Sequence, residues 1–408
     1  MSQNVHIAGV GMTPFGVHEN ETVGSLTAAA VDEALRDAGI PLAEIDAVYF
    51  ANATQGALEG QLMVPGEVAL RRLGLDGVPI FNVENACASG ASALSLAITS
   101  VRAGESEIAL AVGAEKMNVG DRALTMTVFD GAYDVSDPDA LERTLRALGG
   151  DVDLSGVGRR SRFMDIYAAM ARAHMETFGS TQRQLAAVSA KNHRHSVENP
   201  LAHFRTDLSI DDVLAARPLG FPLTVPMCSP LTDGAAAAIV CSDAVARRLA
   251  EGRTVEVLAS VVGTGVRRDP RDYSRHITAI SGRRAFERAG IAPADVSVAE
   301  VHDATAFGEL LVSELLGLVG MGEGGPAAEA GITSLGGRIP INTSGGLESK
   351  GHPLAATGLG QIHELVAQLR GEAGARQVDG ARIALAENGG GFVGGEEAVA
   401  VVTILRGR

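Results

Sequence analysis

The 408-residue chain has no tryptophan, only 4% aromatic residues and only three cysteines. With so few rings there is no run of stacking platforms for single-stranded nucleic acid. Cys87, Cys228 and Cys241 are widely separated and odd in number, so they suggest neither a CxxC metal pair nor a disulfide framework. Positive charge is also short: 34 Lys and Arg against 49 Asp and Glu leave a net charge of −15. Such a surface repels polyanions, and an anionic ligand would need a local basic pocket. No run of about 18 apolar residues is present, so no membrane span is expected. The first ten residues lack a basic start followed by a long apolar stretch, so no signal peptide is expected. These absences predict a cytoplasmic protein with reduced thiols, no nucleic-acid partner and no metal.

Glycine is abundant, with 50 residues, and 46% of the chain is hydrophobic against 20% charged. Those proportions suit a globular chain with a large interior, and the length suits more than one domain. The sequence also repeats itself. Residues 33–54 (EALRDAGIPLAEIDAVYFANAT) align without a gap on 284–305 (RAFERAGIAPADVSVAEVHDAT), with seven identities that include Gly39/Gly290 and Thr54/Thr305. Each copy reads as an amphipathic helix ended by glycine, a short link and an apolar strand. Ile108-Ala-Leu-Ala recurs as Ile383-Ala-Leu-Ala. The pattern predicts a duplicated α/β protein with parallel-rich sheets sandwiched by helices. Its halves would be residues 1–116 plus 219–248, and 249–408. Residues 117–218, with a helix-like FMDIYAAMARAHMETFG stretch, break the pattern and read as an inserted loop or cap region.

Cys87 lies where a strand ending in Ile80-Phe-Asn-Val gives way to a small-residue helix, among Ala86, Ala88, Ser89 and Gly90. Small neighbours permit a sharp turn, and a helix N-terminus favours a thiolate. An inert buried cysteine fits the local sequence equally well. His302 stands at the end of the duplicated strand, and His352 in a glycine-rich turn (SGGLESKGHPLAATG). Glu387-Asn-Gly389-Gly390-Gly391-Phe follows the second Ile-Ala-Leu-Ala strand, and successive glycine amides suit an oxyanion.

Together, Cys87-Ala-Ser-Gly, His302-Asp303, Gly351-His352-Pro353 and the Gly389–Gly391 turn resemble the thiolase superfamily across essentially the whole chain. The resemblance is nearest to sterol-carrier-protein-type thiolase-like proteins, which carry His-Asp where other thiolases carry Asn-Glu. It implies a layered α-β-α-β-α fold and an acyl-CoA acyltransferase. In it Cys87 takes up the acyl group, His352 accepts the thiol proton, and His302 donates to a thioester oxygen. The amides of Cys87 and of Gly389 and Gly390 would hold an oxyanion. Coenzyme A thioester enters as substrate, with no permanently bound cofactor. Ser229 stands where the family contacts the pantetheine arm. Arg159, Arg160 and Arg162 are candidates for the coenzyme A phosphates, and Phe163, Met164, Tyr167, Met170 and Met175 for the acyl pocket. Cys228 reads as structural.

The resemblance further implies a homodimer or tetramer, and for some relatives a small zinc-ribbon/OB-type partner that binds acyl-CoA. One departure matters. Glu387 and Ala304 stand where family members carry a second, acid/base cysteine. Glu387 could take over that role, because a poorly solvated carboxyl titrates nearer neutrality. Decarboxylating condensation, which needs no base, and partner-dependent retro-aldol cleavage are alternatives, as is a non-catalytic lipid-binding scaffold.

Overall fold

A computed structural model describes residues 3–148, 161–250 and 252–407. Arg159 and Arg160 lie outside the described residues. The strands are β1 (Val5–Met12), β2 (Ala47–Ala51), β3 (Ile80–Val83), β4 (Ile108–Glu115), β5 (Pro218–Gly220), β6 (Leu223–Thr224), β7 (Gly234–Ser242), β8 (Val255–Thr264), β9 (Val298–Glu300), β10 (Ile383–Gly390) and β11 (Val399–Arg406). Strands β5 and β6 form a hairpin, and the others form one sheet in the order β3-β2-β4-β7-β1-β8-β11-β10-β9.

That order is nearly a palindrome. Strands β2-β4-β7-β1 on one side are mirrored by β9-β10-β11-β8 on the other, and the halves meet where β1 pairs with β8 over His6–Glu256 and Ile7–Val255. The repeated segments fall on equivalent elements: helix Val23–Ala38 leading to β2, and helix Ile277–Ala289 leading to β9. Both helices end on a left-handed glycine, Gly39 at φ 65° and Gly290 at φ 68°, a conformation strained for any residue with a Cβ.

The sheet is mixed rather than parallel-rich. Pairs β2–β3, β2–β4 and β9–β10 are parallel, whereas β4–β7, β7–β1, β10–β11 and β11–β8 are antiparallel. Strand β11 returns from β10 through the short turn 391–398, without the crossover helix that a parallel partner requires.

Side-chain alternation builds the layers. On β4, Ala109 and Ala111 face helices Ser89–Ala103 and Thr357–Arg370, while Ile108, Leu110 and Val112 face helix Val23–Ala38. On β10, Ala384 and Ala386 face the same central helices, and Leu385 faces helices Ile277–Ala289 and Ala306–Leu315. Helices therefore cover both faces of each half-sheet and give the layered α-β-α-β-α arrangement. The two central helices meet at their N-termini through glycines: a Cβ on Gly90 would lie 2.3 Å from the Ala355 carbonyl oxygen, and one on Gly358 would lie 2.8 Å from the Ala91 amide nitrogen.

Within 117–218, helix Arg162–Phe178 is capped by Ser161 and ended by Gly179 at φ 76°, and helix Gln182–Ser196 starts on a Thr181/Gln184 capping box. Both pack against helix Ala306–Leu315 of the second half. Among the described residues no helix is long and apolar enough to cross a membrane.

Candidate active site

Cys87 sits on the elbow between β3 and helix Ser89–Ala103. Ala86 before it has φ 49°, a left-handed conformation that costs a residue with a Cβ about 1–3 kcal/mol. Local hydrogen bonds hold it there. The Ala86 amide donates to Glu84 Oε1 at 2.6 Å, Ser89 Oγ donates to the Ala86 carbonyl at 2.6 Å, and the Asn85 amide donates to Ser89 Oγ at 2.8 Å. The turn sets the sulfur on the wall of a cavity of about 1960 Å³.

His302 and His352 line the same cavity. One sulfur or ring-nitrogen atom from each of Cys87, His302 and His352 lies within 4.8 Å of the others, and the two rings pack edge to face with centroids 5.2 Å apart. Their outer nitrogens are held differently. His352 Nδ1 is 2.7 Å from Thr357 Oγ1, and that hydroxyl donates to the Pro353 carbonyl at 3.0 Å. Thr357 can then only accept from Nδ1–H, which leaves His352 Nε2 as a free acceptor. His302 Nδ1 lies 2.9 Å from the Asn388 amide nitrogen, a donor, so its own hydrogen sits on Nε2. One histidine thus offers a lone pair to the cavity and the other an N–H.

Burial dominates the electrostatics. It pushes His302 down to about 4, and burial together with His302 holds His352 well below the usual range, so both rings are neutral at neutral pH. Burial, and then the Glu115 charge, push the Cys87 thiol up to about 12, against the amides of Cys87 and Gly391, which pull it down. The resting sulfur is therefore protonated, contrary to the thiolate expected from the helix N-terminus alone. A thiol beside a neutral imidazole acceptor loses its proton as it attacks. The donor types also suit a soft metal ion.

The two histidine loops are fastened to each other. Asp303, fully buried, accepts from the Leu347 and Glu348 amides and from the Asn192 side chain. Glu300 accepts from the Ser344 amide and hydroxyl and pairs with Lys350 at 3.3 Å. Both carboxylates thereby tie the end of β9 to the turn that carries His352.

Glu387 is placed differently from these three. Its carboxylate accepts from the His302 backbone amide at 3.2 Å and from Thr278 Oγ1 at 3.4 Å, and it is not among the residues lining the cavity. Burial and the Glu397 charge push it up to about 8. Gly389 and Gly390 close the β10–β11 ladder opposite Ala400 and Val399, and Gly390 and Gly391 reach the wall. The amide directed at the sulfur is that of Gly391. Ser229 lines the cavity and donates its backbone N–H to the Ala304 carbonyl at 3.0 Å. Phe163, Met164 and Tyr167 line the cavity, while Met170 is core. Cys228 lines the wall as a thiol raised by burial, and Cys241 is buried in β7. Arg162 lies 3.7 Å from Asp130 and stacks over Tyr133, whereas Arg122 and Arg217 are cations in the cavity wall. Sequence reasoning missed Thr357, Asn388 and Glu397. The first two lie within motifs it had already selected, and Glu397 had no motif to mark it.

A nucleophile elbow and paired histidines on a doubled, layered α/β fold bring a thiol, a proton acceptor and a proton donor to one cavity wall. The family model described as "Thiolase, N-terminal domain" matches residues 5–211, and "Thiolase C-terminal domain-like" matches 264–404. The chain belongs to the thiolase family. It is 38% identical over 399 residues to an acetyl-CoA acetyltransferase of Methanothermobacter thermautotrophicus, covering 97% of this chain and 98% of that one. It is 37% identical to sterol carrier protein 2 of Rattus norvegicus over 98% of this chain and 72% of that one. The solved structure titled "Ltp2-ChsH2(DUF35) aldolase" superposes with a TM-score of 0.80 at 22% identity, over 99% of this chain and 98% of that one.

Proposed function

We propose that the protein is an acyl-CoA acyltransferase of thiolase type, which forms or cleaves a 3-ketoacyl-CoA through an acyl group carried on Cys87. The observation that carries this reading is the pair of neutral histidines fixed in opposite tautomers beside one thiol. In the first half-reaction Cys87 Sγ attacks the thioester carbonyl as its proton passes to His352 Nε2. The new carbon–sulfur bond forms, the bond to coenzyme A breaks, and the departing sulfur takes that proton. The Gly389–Gly391 turn and the Cys87 amide face the first oxyanion. In the second half-reaction the α-carbon of the second thioester gives up a proton to a base and attacks the acyl carbonyl, the bond to Cys87 breaks, and His302 Nε2–H donates to the oxygen of that second thioester.

Coenzyme A is substrate here, not a resident cofactor. Ser229 at the wall and the cations Arg122 and Arg217 suit its arm and phosphates, with Arg159 and Arg160 as further candidates. The same reading divides the chain into 1–116 plus 219–248, a cap at 117–218, and 249–408. We place the protein in the cytoplasm.

A homodimer, alone or paired into a tetramer, also belongs to this reading. Strand β3 is an outer edge of the sheet, and Phe81 on it lies with Leu62 and Met63 among the exposed large apolar residues, the last two 77% and 76% exposed. An unpaired edge flanked by apolar side chains suits a second copy. Phe81→Arg should convert a dimer to monomer in light scattering, and an unchanged mass would remove this surface from the reading.

Thiolysis of acetoacetyl-CoA by free coenzyme A tests the activity. Cys87→Ala should lose at least about a thousandfold, and a variant that keeps wild-type turnover would end the proposal. The second reading, decarboxylative condensation or retro-aldol cleavage with a small zinc-ribbon/OB-type partner, is favoured by Glu387 and Ala304 standing where the family's acid/base thiols stand. The structural similarity to the Ltp2-ChsH2(DUF35) aldolase supports looking for that partner by co-purification.

A further inference from the structure

The turn between β10 and β11 carries two adjacent glutamates with different surroundings. Glu396 is locked into the protein. Its Oε1 accepts from the Val266 amide at 3.1 Å, and its Oε2 accepts from the Ile277 amide and from Arg268 Nε–H, both at 2.8 Å. Arg268, 1% exposed, also donates to the carbonyls of Asp269, Pro270 and Gly395. With Glu396 anchored inward, its neighbour Glu397 turns to the cavity wall, where it joins Cys87, His302, His352, Gly390 and Gly391. Its side chain passes close over Gly389, where any Cβ would come within 2.7 Å of Glu397 Cγ. The glycine at 389 therefore makes room for this carboxylate.

His276 faces Glu397 from behind. Its Nδ1 accepts from the Thr278 amide at 3.2 Å, so its hydrogen is on Nε2, which lies 3.4 Å from Glu397 Oε2. Neither atom has a hydrogen-bond partner. Glu397 is thus a nearly buried carboxylate, its side chain 12% exposed, with an unsatisfied oxygen. The other ionisable groups acting on it or affected by it are Glu387 from β10, Tyr167 from helix Arg162–Phe178, and Glu396 and Arg268.

We propose that Glu397, rather than Glu387 behind the His302 backbone, is the acid/base that moves the α-proton of the second thioester. The inference rests on the acyl-transfer reading above and deepens it. In the condensing direction a Glu397 carboxylate oxygen takes one proton from the α-carbon of the second acyl-CoA, forming an O–H bond. The electron pair of the broken C–H bond makes the new carbon–carbon bond to the acyl carbonyl, and the carbon–sulfur bond to Cys87 breaks. The Cys87 thiolate regains a proton, and Glu397 returns its own to complete the balance. In cleavage the proton travels from Glu397 to the departing α-carbon. Burial, opposed by the residue's own amide and Arg268 and reinforced by Glu396, raises its pKa to about 7, where a carboxyl both gives and takes protons. Burial raises Cys228, the other thiol on the wall, so it too rests protonated near neutrality.

Two readouts separate the proposal from the reading it rests on. One is acylation of Cys87 by an acyl-CoA, followed by intact mass. The other is exchange of the methyl protons of acetyl-CoA with deuterium in D2O. Glu397→Gln should keep the acyl adduct, which also reports that the site is folded, and should lose exchange and condensation by at least about a hundredfold. Glu397→Asp should recover part of the exchange. Exchange retained in Glu397→Gln would overturn the proposal. So would loss in Glu387→Gln with retention in Glu397→Gln, or a wild type that is acylated yet exchanges no α-protons. Failure of the acyl-transfer reading would show separately, as a wild type that no thioester acylates.

Discussion

Replacing Glu387 by glutamine should stabilise the protein, and increasingly so as the pH rises. The carboxyl is 1% exposed, and burial together with Glu397 raises it from an ordinary 4.5 to about 8. A folded-state pKa above the unfolded one means that the native state holds the proton more tightly. Its stabilising effect is fully present below about pH 4.5 and is lost as the pH rises through 8. The full difference, at about 1.4 kcal/mol per pH unit, is about 5 kcal/mol. Glutamine is neutral throughout, and its carbonyl still accepts from the His302 amide. The advantage of Glu387→Gln should therefore be about 1 kcal/mol at pH 5.5 and about 5 kcal/mol at pH 9. The rise between them is about 3–4 kcal/mol and already includes the Glu397 repulsion. With an unfolding entropy of about 2.1 cal/mol/K per residue, this corresponds to a growth in ΔTm of about 4–5 °C. Thermal melts of both proteins at pH 5.5 and 9 measure it directly. A ΔTm that is constant with pH, or a variant less stable at pH 9, would refute the assignment of Glu387 as a buried acid neutral at pH 7.

Three further outcomes follow from the site. His352→Gln should slow acylation of Cys87 by about 10²–10⁴-fold, measured by single-turnover mass spectrometry, and a change below tenfold would exclude His352 Nε2 as the proton acceptor. Asn388→Asp should accept a hydrogen from His302 Nδ1 and strip Nε2 of its own. Condensation should then fall about a hundredfold or more while the acyl adduct still forms, and unchanged condensation would deny the donor role of His302. Gly90→Ala would place a methyl 2.3 Å from the Ala355 carbonyl. Loss of at least about 2 kcal/mol in urea unfolding is expected, and a neutral variant would show that the central helices are less tightly crossed.

Much of the architecture was legible because the chain repeats itself. The Gly39/Gly290 pair and the twin Ile-Ala-Leu-Ala strands mark equivalent elements, and the alternation of Ala109 and Ala111 with Ile108 and Leu110 separates an inner face from an outer one. Strand direction was less legible. The partners of β7 and β11 depend on where the chain returns after 117–218 and 391–398, and local periodicity carries no information about that. In the site, Cys87, His302 and His352 could be picked out because turn-forming residues surround them. The protonation of Cys87 could not, since its burial, and after that the Glu115 charge, arise only through the fold. Glu387 stood out by its motif, yet its strand turns it toward Thr278. Glu397 lies in a charged turn that looks solvated in sequence, and it reaches the wall beside Glu396, which is anchored by Arg268 from 128 residues earlier in the chain.

The central claim is that Cys87 carries an acyl group. Intact mass spectrometry of wild type and Cys87→Ala, after incubation with a panel of acyl-CoA and 3-ketoacyl-CoA thioesters, tests it most directly. A single acyl adduct on the wild type that is absent from Cys87→Ala is the expected result, and the thioester that labels fastest identifies the substrate class. No adduct from any thioester, or an adduct that persists in Cys87→Ala, would contradict the account.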